Sequence, residues 1–189
     1  TFALGDHTIT ITAEDASGNS TDDTFSVTVA DDESPTLTCA DDVTEEANTT
    51  GGRVVDFTLP TVEGECNGFP TLSYSPYASG TLIPVGETTI TCTATDAAGN
   101  ASTCTFDITI TDTSDPTATC PNAPATVEAT SSAGAAVSYD AASATDTADD
   151  DVAITYSAAS ASTFAIGTTG VTVTATDDSD NTDTCSFDV

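Results

Sequence analysis

Residues 86–110 read GETTITCTATDAAGNASTCTFDITI, and the alternation within them decides the architecture. Ile90, Cys92 and Ala94 fall on one face of a period-two segment, with Thr91, Thr93 and Thr95 on the other. After Ala97, Ala98, Gly99 and Asn100 the alternation resumes, placing Cys104, Phe106, Ile108 and Ile110 on a common face. The stretch therefore predicts a β-hairpin with one buried face. Outward from it, TLTCA from Thr36, VVDFTL from Val54 and TLSYS from Thr71 are further strand candidates. Gly, Pro, Asn and Glu clusters separate them at the spacing of a β-sandwich.

The same hairpin occurs three times. GDHTITITAEDASGNSTDDTFSVTV from Gly5 and GTTGVTVTATDDSDNTDTCSFDV from Gly167 align with it without a gap. Gly5, Gly86 and Gly167 stand 81 residues apart, as do Asp15, Asp96 and Asp177, then Asn19, Asn100 and Asn181, then Phe25, Phe106 and Phe187. Pro35 and Pro116, and Cys39 and Cys120, keep the same interval, while LSYS ending at Ser75 matches ITYS ending at Ser157 with one residue inserted. A fixed period of this kind marks a repeat array. The expected organisation is the C-terminal part of one repeat over residues 1–33, a complete repeat over 34–114, and a third over 115–189 lacking the end of its last strand. The phase of the repeat leads us to expect a piece of a longer polypeptide.

Composition agrees with thin all-β modules. Across 189 residues there are 41 Thr, no Trp and no Met, and hydrophobic residues are 38% of the chain, so a core has to be built from small, β-branched and aromatic side chains. No apolar run approaches the roughly 18 residues needed to span a bilayer as a helix. One Lys or Arg against 31 Asp and Glu gives a formal charge of −30. Such a field repels nucleic-acid phosphates and anionic lipid headgroups, and makes cations the natural partners.

The pattern of a Cys shortly after an Asp-x-x-x-Pro-type linker, an acidic segment with a second Cys, and then PVGETTITCTATDAAGNASTCTFDITI resembles the hyalin repeat (HYR) family. That resemblance covers essentially the whole chain in three instalments. It implies tandem immunoglobulin-like β-sandwiches in a linear array, located outside the cell or on its surface, with a role in adhesion or matrix architecture and no catalytic residues. Two departures stand out. Ile11 and Asp23 replace Cys92 and Cys104 in the first instalment, and Val173 and Thr147 replace Cys92 and Cys66 in the third.

Six cysteines in an acidic chain of sandwich modules point to an oxidising compartment and structural disulfides. If disulfides stay within a repeat, Cys120 pairs with Cys185, the register then pairs Cys39 with Cys104, and Cys66 is left for Cys92. The rival pairing, Cys92 with Cys104, closes across the hairpin. A zinc site lacks its ligands, because there is no CxxC and His7 is the single histidine.

In a sandwich of this type the turn before the last strand, the incoming linker and the loop between the second and third strands share one pole. Acidic residues gather at those places. Entering the second repeat they are Asp31, Asp32 and Glu33 of the linker, Glu63 and Glu65 of the loop, and Asp96 with Asn100 of the turn. Entering the third they are Asp112 and Asp115, then Asp146 and Asp149, then Asp177, Asp180 and Asn181. Two readings stand. One is a set of Ca²⁺ ligands, since a hard cation takes six or more oxygens. The other is turn chemistry, in which Asp and Asn bind their own backbone, on an acidic surface that keeps the protein soluble in salt.

The functional expectation is a non-enzymatic segment of a long extracellular repeat protein, such as a fibre, filament, stalk or adhesin, rigidified by interdomain calcium. Its partners would be neighbouring repeats or copies and cell-surface or matrix glycans or proteins, with no nucleic acid and no membrane span in this segment. An accessory binding module of a larger secreted enzyme is the alternative.

Overall fold

The computed structural model describes residues 1–63 and 68–189. Among these residues there is no helix; the secondary structure is strand, turn and bend. In chain order the strands are β1 (Gly5–Glu14), β2 (Ser20–Val29), β3 (Thr36–Thr38), β4 (Val43–Glu46), β5 (Arg53–Val55), β6 (Thr61–Glu63), β7 (Thr71–Ser75), β8 (Thr81–Ile83), β9 (Gly86–Thr95) and β10 (Ala101–Thr111). They continue with β11 (Thr117–Thr119), β12 (Ala135–Ala136), β13 (Ser143–Thr145), β14 (Ala153–Tyr156), β15 (Thr163–Phe164), β16 (Gly170–Thr176) and β17 (Thr182–Asp188). The sequence period survives folding: β9 starts and stops 81 residues after β1.

The chain divides into two compact units. The first comprises Thr1–Ala40, Leu59–Pro76 and Thr91–Thr105. Here β1 pairs antiparallel with β2 from Gly5↔Val29 to Glu14↔Ser20, β3 pairs with β6, and β7 pairs with β9 so that Tyr74 lies opposite Cys92. Cys92 and Ala94, on the apolar side of the alternation, are fully buried. A disulfide joins Cys39, just past β3, to Cys104 of β10, with a Cα–Cα distance of 5.7 Å. In β1 and β2 the same face is open. Ile11 is 57% and Phe25 50% exposed, whereas their register equivalents Cys92 and Phe106 are 0% and 3%.

The second unit comprises Asp41–Thr58, Tyr77–Ile90 and Phe106–Val189. Ile108–Thr111 of β10 runs parallel to β4, and β5 pairs antiparallel with β8. Val55, Ile83, Ile90, Ile108 and Ile110 fill the interior, and Phe57 meets Phe106 edge-on at 5.0 Å. Each such aliphatic side chain contributes about 1.5–3 kcal/mol by leaving water. The strand expected from Val54 stops at Val55. Beyond it the Ser79 hydroxyl takes over the ladder's role, accepting from the Phe57 N–H and donating to the Phe57 carbonyl.

In the same unit β11 pairs with β13, β12 with β15, and β14, β16 and β17 form a three-stranded sheet. Val137, Phe164, Val171, Val173 and Phe187 make its core. Tyr139 packs against Phe187 with ring centroids 4.8 Å apart and donates its hydroxyl to the Ala158 carbonyl. Cys120, just past β11, is joined to Cys185 of β17. Gly134 is fixed by space as well as by its φ of 109°, since a Cβ there would sit 1.8 Å from the Phe164 carbonyl oxygen.

Candidate functional site

The turns of the three hairpins are wired alike. Asp15 Oδ1 accepts from the Ser17 and Asn19 N–H groups, and its Oδ2 accepts from Asn19 Nδ2. Asp96 does the same with Ala98 and Asn100, and Asp177 with Ser179 and Asn181, all at 2.8–2.9 Å. The amide of Asn100, assisted by backbone N–H groups, holds the Asp96 carboxyl below its ordinary range, and Asn19 does so for Asp15. To this extent the turn reading accounts for the conserved spacing of Asp and Asn along the chain.

The Asn side chains also reach outside their turns. Asn100 Nδ2 donates to the Asp31 carbonyl at 3.1 Å, and Asn181 Nδ2 donates to the Asp112 carbonyl at 3.1 Å. Ser102 Oγ adds a 2.6 Å bond to the Pro35 carbonyl, while at the matching position Asp183 Oδ2 accepts from the Ala118 N–H at 2.9 Å. Linker and turn are thus held together by the chain's own hydrogen bonds at both junctions.

At the second of these junctions the loop joins them. Carboxylate oxygens of Asp112, Asp146 and Asp177 lie within 4.8 Å of one another, with Asp177 buried and the other two half-buried. Asp146 is held by N–H donation from Ala148 and Asp149, and Asp149 Oδ2 accepts from the Asp178 N–H, tying the loop to the turn. Three carboxylates at this separation repel by roughly 3 kcal/mol per pair at an effective dielectric near 20. No cationic side chain answers them. Arg53, the single Lys or Arg in the chain, is engaged with the Glu45 carboxylate and the Glu46 carbonyl.

Residues 30–110 and 111–189 each match the HYR domain. The chain belongs to the HYR family. Hyalin of Strongylocentrotus purpuratus is 35% identical over 187 residues, which is 95% of this chain and 16% of hyalin. The serine-rich adhesin for platelets of Staphylococcus aureus strain MRSA252 is 31% identical over 120 residues, 57% of this chain and 9% of the adhesin. The chain therefore spans only a small part of these relatives' length. Among solved structures, the protocadherin gamma B4 extracellular domain aligns with 99% of this chain and 42% of its own at a TM-score of 0.40 and 16% identity. HYR domains are extracellular modules, and this chain is an extracellular or cell-surface repeat segment.

Within the HYR frame the remaining acidic candidates separate clearly. Asp32, Glu33, Glu63, Asp115 and Asp180 are exposed and stand outside the cluster, with Asp180 occupying a turn position at φ 67°. Asp31 is half-buried and Asp96 is buried, matching Asp112 and Asp177 by register. Glu65, which matches Asp146, lies outside the described residues, as does the Cys66 half of the expected Cys66–Cys92 pair.

One positioning residue escaped the sequence reading. Glu46 brackets Asp112: its Oε2 accepts from the Thr111 hydroxyl at 2.6 Å, and its Oε1 accepts from the Thr113 N–H at 2.6 Å and the Thr113 hydroxyl at 3.1 Å. These bonds, the Thr111 hydroxyl foremost, lower the Glu46 pKa. The signal was present in the recurrence of Glu-Ala-Asn-Thr at Glu46 as Glu-Ala-Thr-Ser at Glu128.

Proposed function

We propose that this chain is a non-enzymatic structural segment of a long extracellular HYR repeat protein serving adhesion or matrix architecture, and that Ca²⁺ stiffens its junctions. In this reading residues 1–33, 34–114 and 115–189 belong to successive modules, and the linkers at 31–35 and 112–116 are the places where the angle between modules is set.

The observation that carries the cation is the triad of Asp112, Asp146 and Asp177 within 4.8 Å without a basic partner. The donor set suits a hard ion, because every candidate atom is a carboxylate oxygen. Asp31, Glu65 and Asp96 stand in the same register at the first junction, so one chemistry would serve both. Small-angle scattering of the protein in calcium and in chelator tests the mechanical part. Calcium should lengthen and sharpen the distance distribution; an identical distribution in both, at constant ionic strength, would contradict it.

A further inference from the structure

Three stretches carry the Asn-x-Ser/Thr pattern that accepts an N-linked glycan: Asn19-Ser20-Thr21, Asn48-Thr49-Thr50 and Asn100-Ala101-Ser102. The fold treats them differently. The side-chain amide of Asn100 has two hydrogens and two acceptors, the Asp96 carboxylate at 2.9 Å and the Asp31 carbonyl at 3.1 Å. The Ser102 hydroxyl that completes its pattern is engaged as well, donating to the Pro35 carbonyl at 2.6 Å. Asn19, with one side-chain bond to Asp15 Oδ2 at 2.9 Å, is intermediate. Asn48 is exposed, just past β4 and at the mouth of a tight turn. Its backbone N–H donates to the Gly52 carbonyl at 3.2 Å, Thr49 bridges to Gly52, and Gly51 at the tip has a φ of 87°. Its side-chain amide makes no hydrogen bond among the described residues. The third repeat builds the same turn without the pattern: the Thr130 N–H donates to the Gly134 carbonyl at 3.2 Å, Ser131 bridges to Gly134, and residues 130–132 read Thr-Ser-Ser.

We propose that Asn48 is an N-glycosylation site, and that the fold bars Asn100 from being one. The donor is an oligosaccharide carried on a lipid diphosphate. Asn48 Nδ2 forms a C–N bond to the anomeric carbon as the bond from that carbon to the diphosphate oxygen breaks. The amide gives up one proton, and the lipid diphosphate leaves with the bonding electron pair. Transfer reaches the chain as it emerges, and folding then decides which product can close. A glycan on Asn48 stands on a turn tip in solvent and displaces no bond. A glycan on Asn100 replaces one of two amide hydrogens, so either the Asp31 carbonyl or the Asp96 carboxylate loses its donor at the junction of linker and turn. The inference rests on the extracellular setting of the chain and does not depend on the cation.

The test secretes the full chain from a eukaryotic cell that carries this transferase, and reads each asparagine by peptide mass after enzymatic release of the glycan in heavy-oxygen water. Asn48 should be glycosylated in most molecules, and at least about tenfold more often than Asn100 in the folded, secreted protein. Asn48→Gln and Thr50→Ala should each abolish that glycan. Thr130→Asn combined with Ser132→Thr, which installs the pattern on the matching turn of the third repeat, should add one. An unmodified Asn48, equal occupancy of Asn48 and Asn100, or no added glycan in the double variant overturns the proposal.

Discussion

The side-chain amide of Asn181 donates to the backbone carbonyl of Asp112 at 3.1 Å, so a turn residue grips a linker residue far away in sequence. The same amide holds Asp177 Oδ2 at 2.9 Å. Asn181→Ala removes both bonds and leaves a buried carboxylate short of a donor, at a cost of about 1–3 kcal/mol. Calorimetry should show melting lowered by several degrees. Asn19→Ala, which loses a turn bond with no linker attached, should cost less.

The hairpins, the period and the apolar face were legible because strand alternation and an 81-residue register are local, repeated signals. Of the acids expected at the second junction, Asp112, Asp146 and Asp177 lie within 4.8 Å of one another. Harder to read was which acids converge. Asp115 and Asp180 are as acidic and as close in sequence as Asp112 and Asp177, yet linker geometry and a left-handed turn conformation keep them out of the cluster. Glu46 was missed because it acts from a strand near the start of its repeat on residues at the repeat's end, brought beside it by parallel pairing. Such pairing leaves no trace in local alternation.

Acid should expose the value of the turn bonds. The Asp96 carboxyl is held below its ordinary range, so the unfolded chain takes up that proton first as pH falls. The stability it confers is present above the ordinary carboxylate range and is lost as pH falls through the folded-state value. Denaturant unfolding of wild type and Asn100→Ala should accordingly differ more at pH 7 than at pH 3. A residual difference should persist, because the Asp31 carbonyl bond of Asn100 does not titrate.

Cleavage at acidic residues under non-reducing conditions should recover peptides linked through Cys39–Cys104 and through Cys120–Cys185. Trypsin serves poorly, with Arg53 as its single site. Cys120→Ser with Cys185→Ser should lower stability by about 2–4 kcal/mol, read from the denaturation midpoint.

Glu46→Ala frees Thr111 and Thr113 on either side of Asp112. It should weaken calcium affinity severalfold without removing a ligand, as the loss of groups that orient ligands commonly does. Isothermal titration reads this directly. An unchanged affinity would show that Asp112 needs no bracket.

The central claim is that Asp112, Asp146 and Asp177 act together as a cation site. The most direct measurement is the calcium-dependent rise in melting temperature at fixed ionic strength, compared among wild type, Asp146→Asn and Asp177→Asn. A ligand bound only to the folded state stabilises by about 2.7 kcal/mol at a hundredfold excess over Kd, which is several degrees. The account predicts that rise in wild type, its loss or strong reduction in both variants, the full rise in Asp180→Asn, whose carboxylate lies outside the cluster, and no equivalent rise from NaCl. Equal rises in all the variants, or a rise reproduced by NaCl, would reduce the cluster to screened surface charge and contradict it.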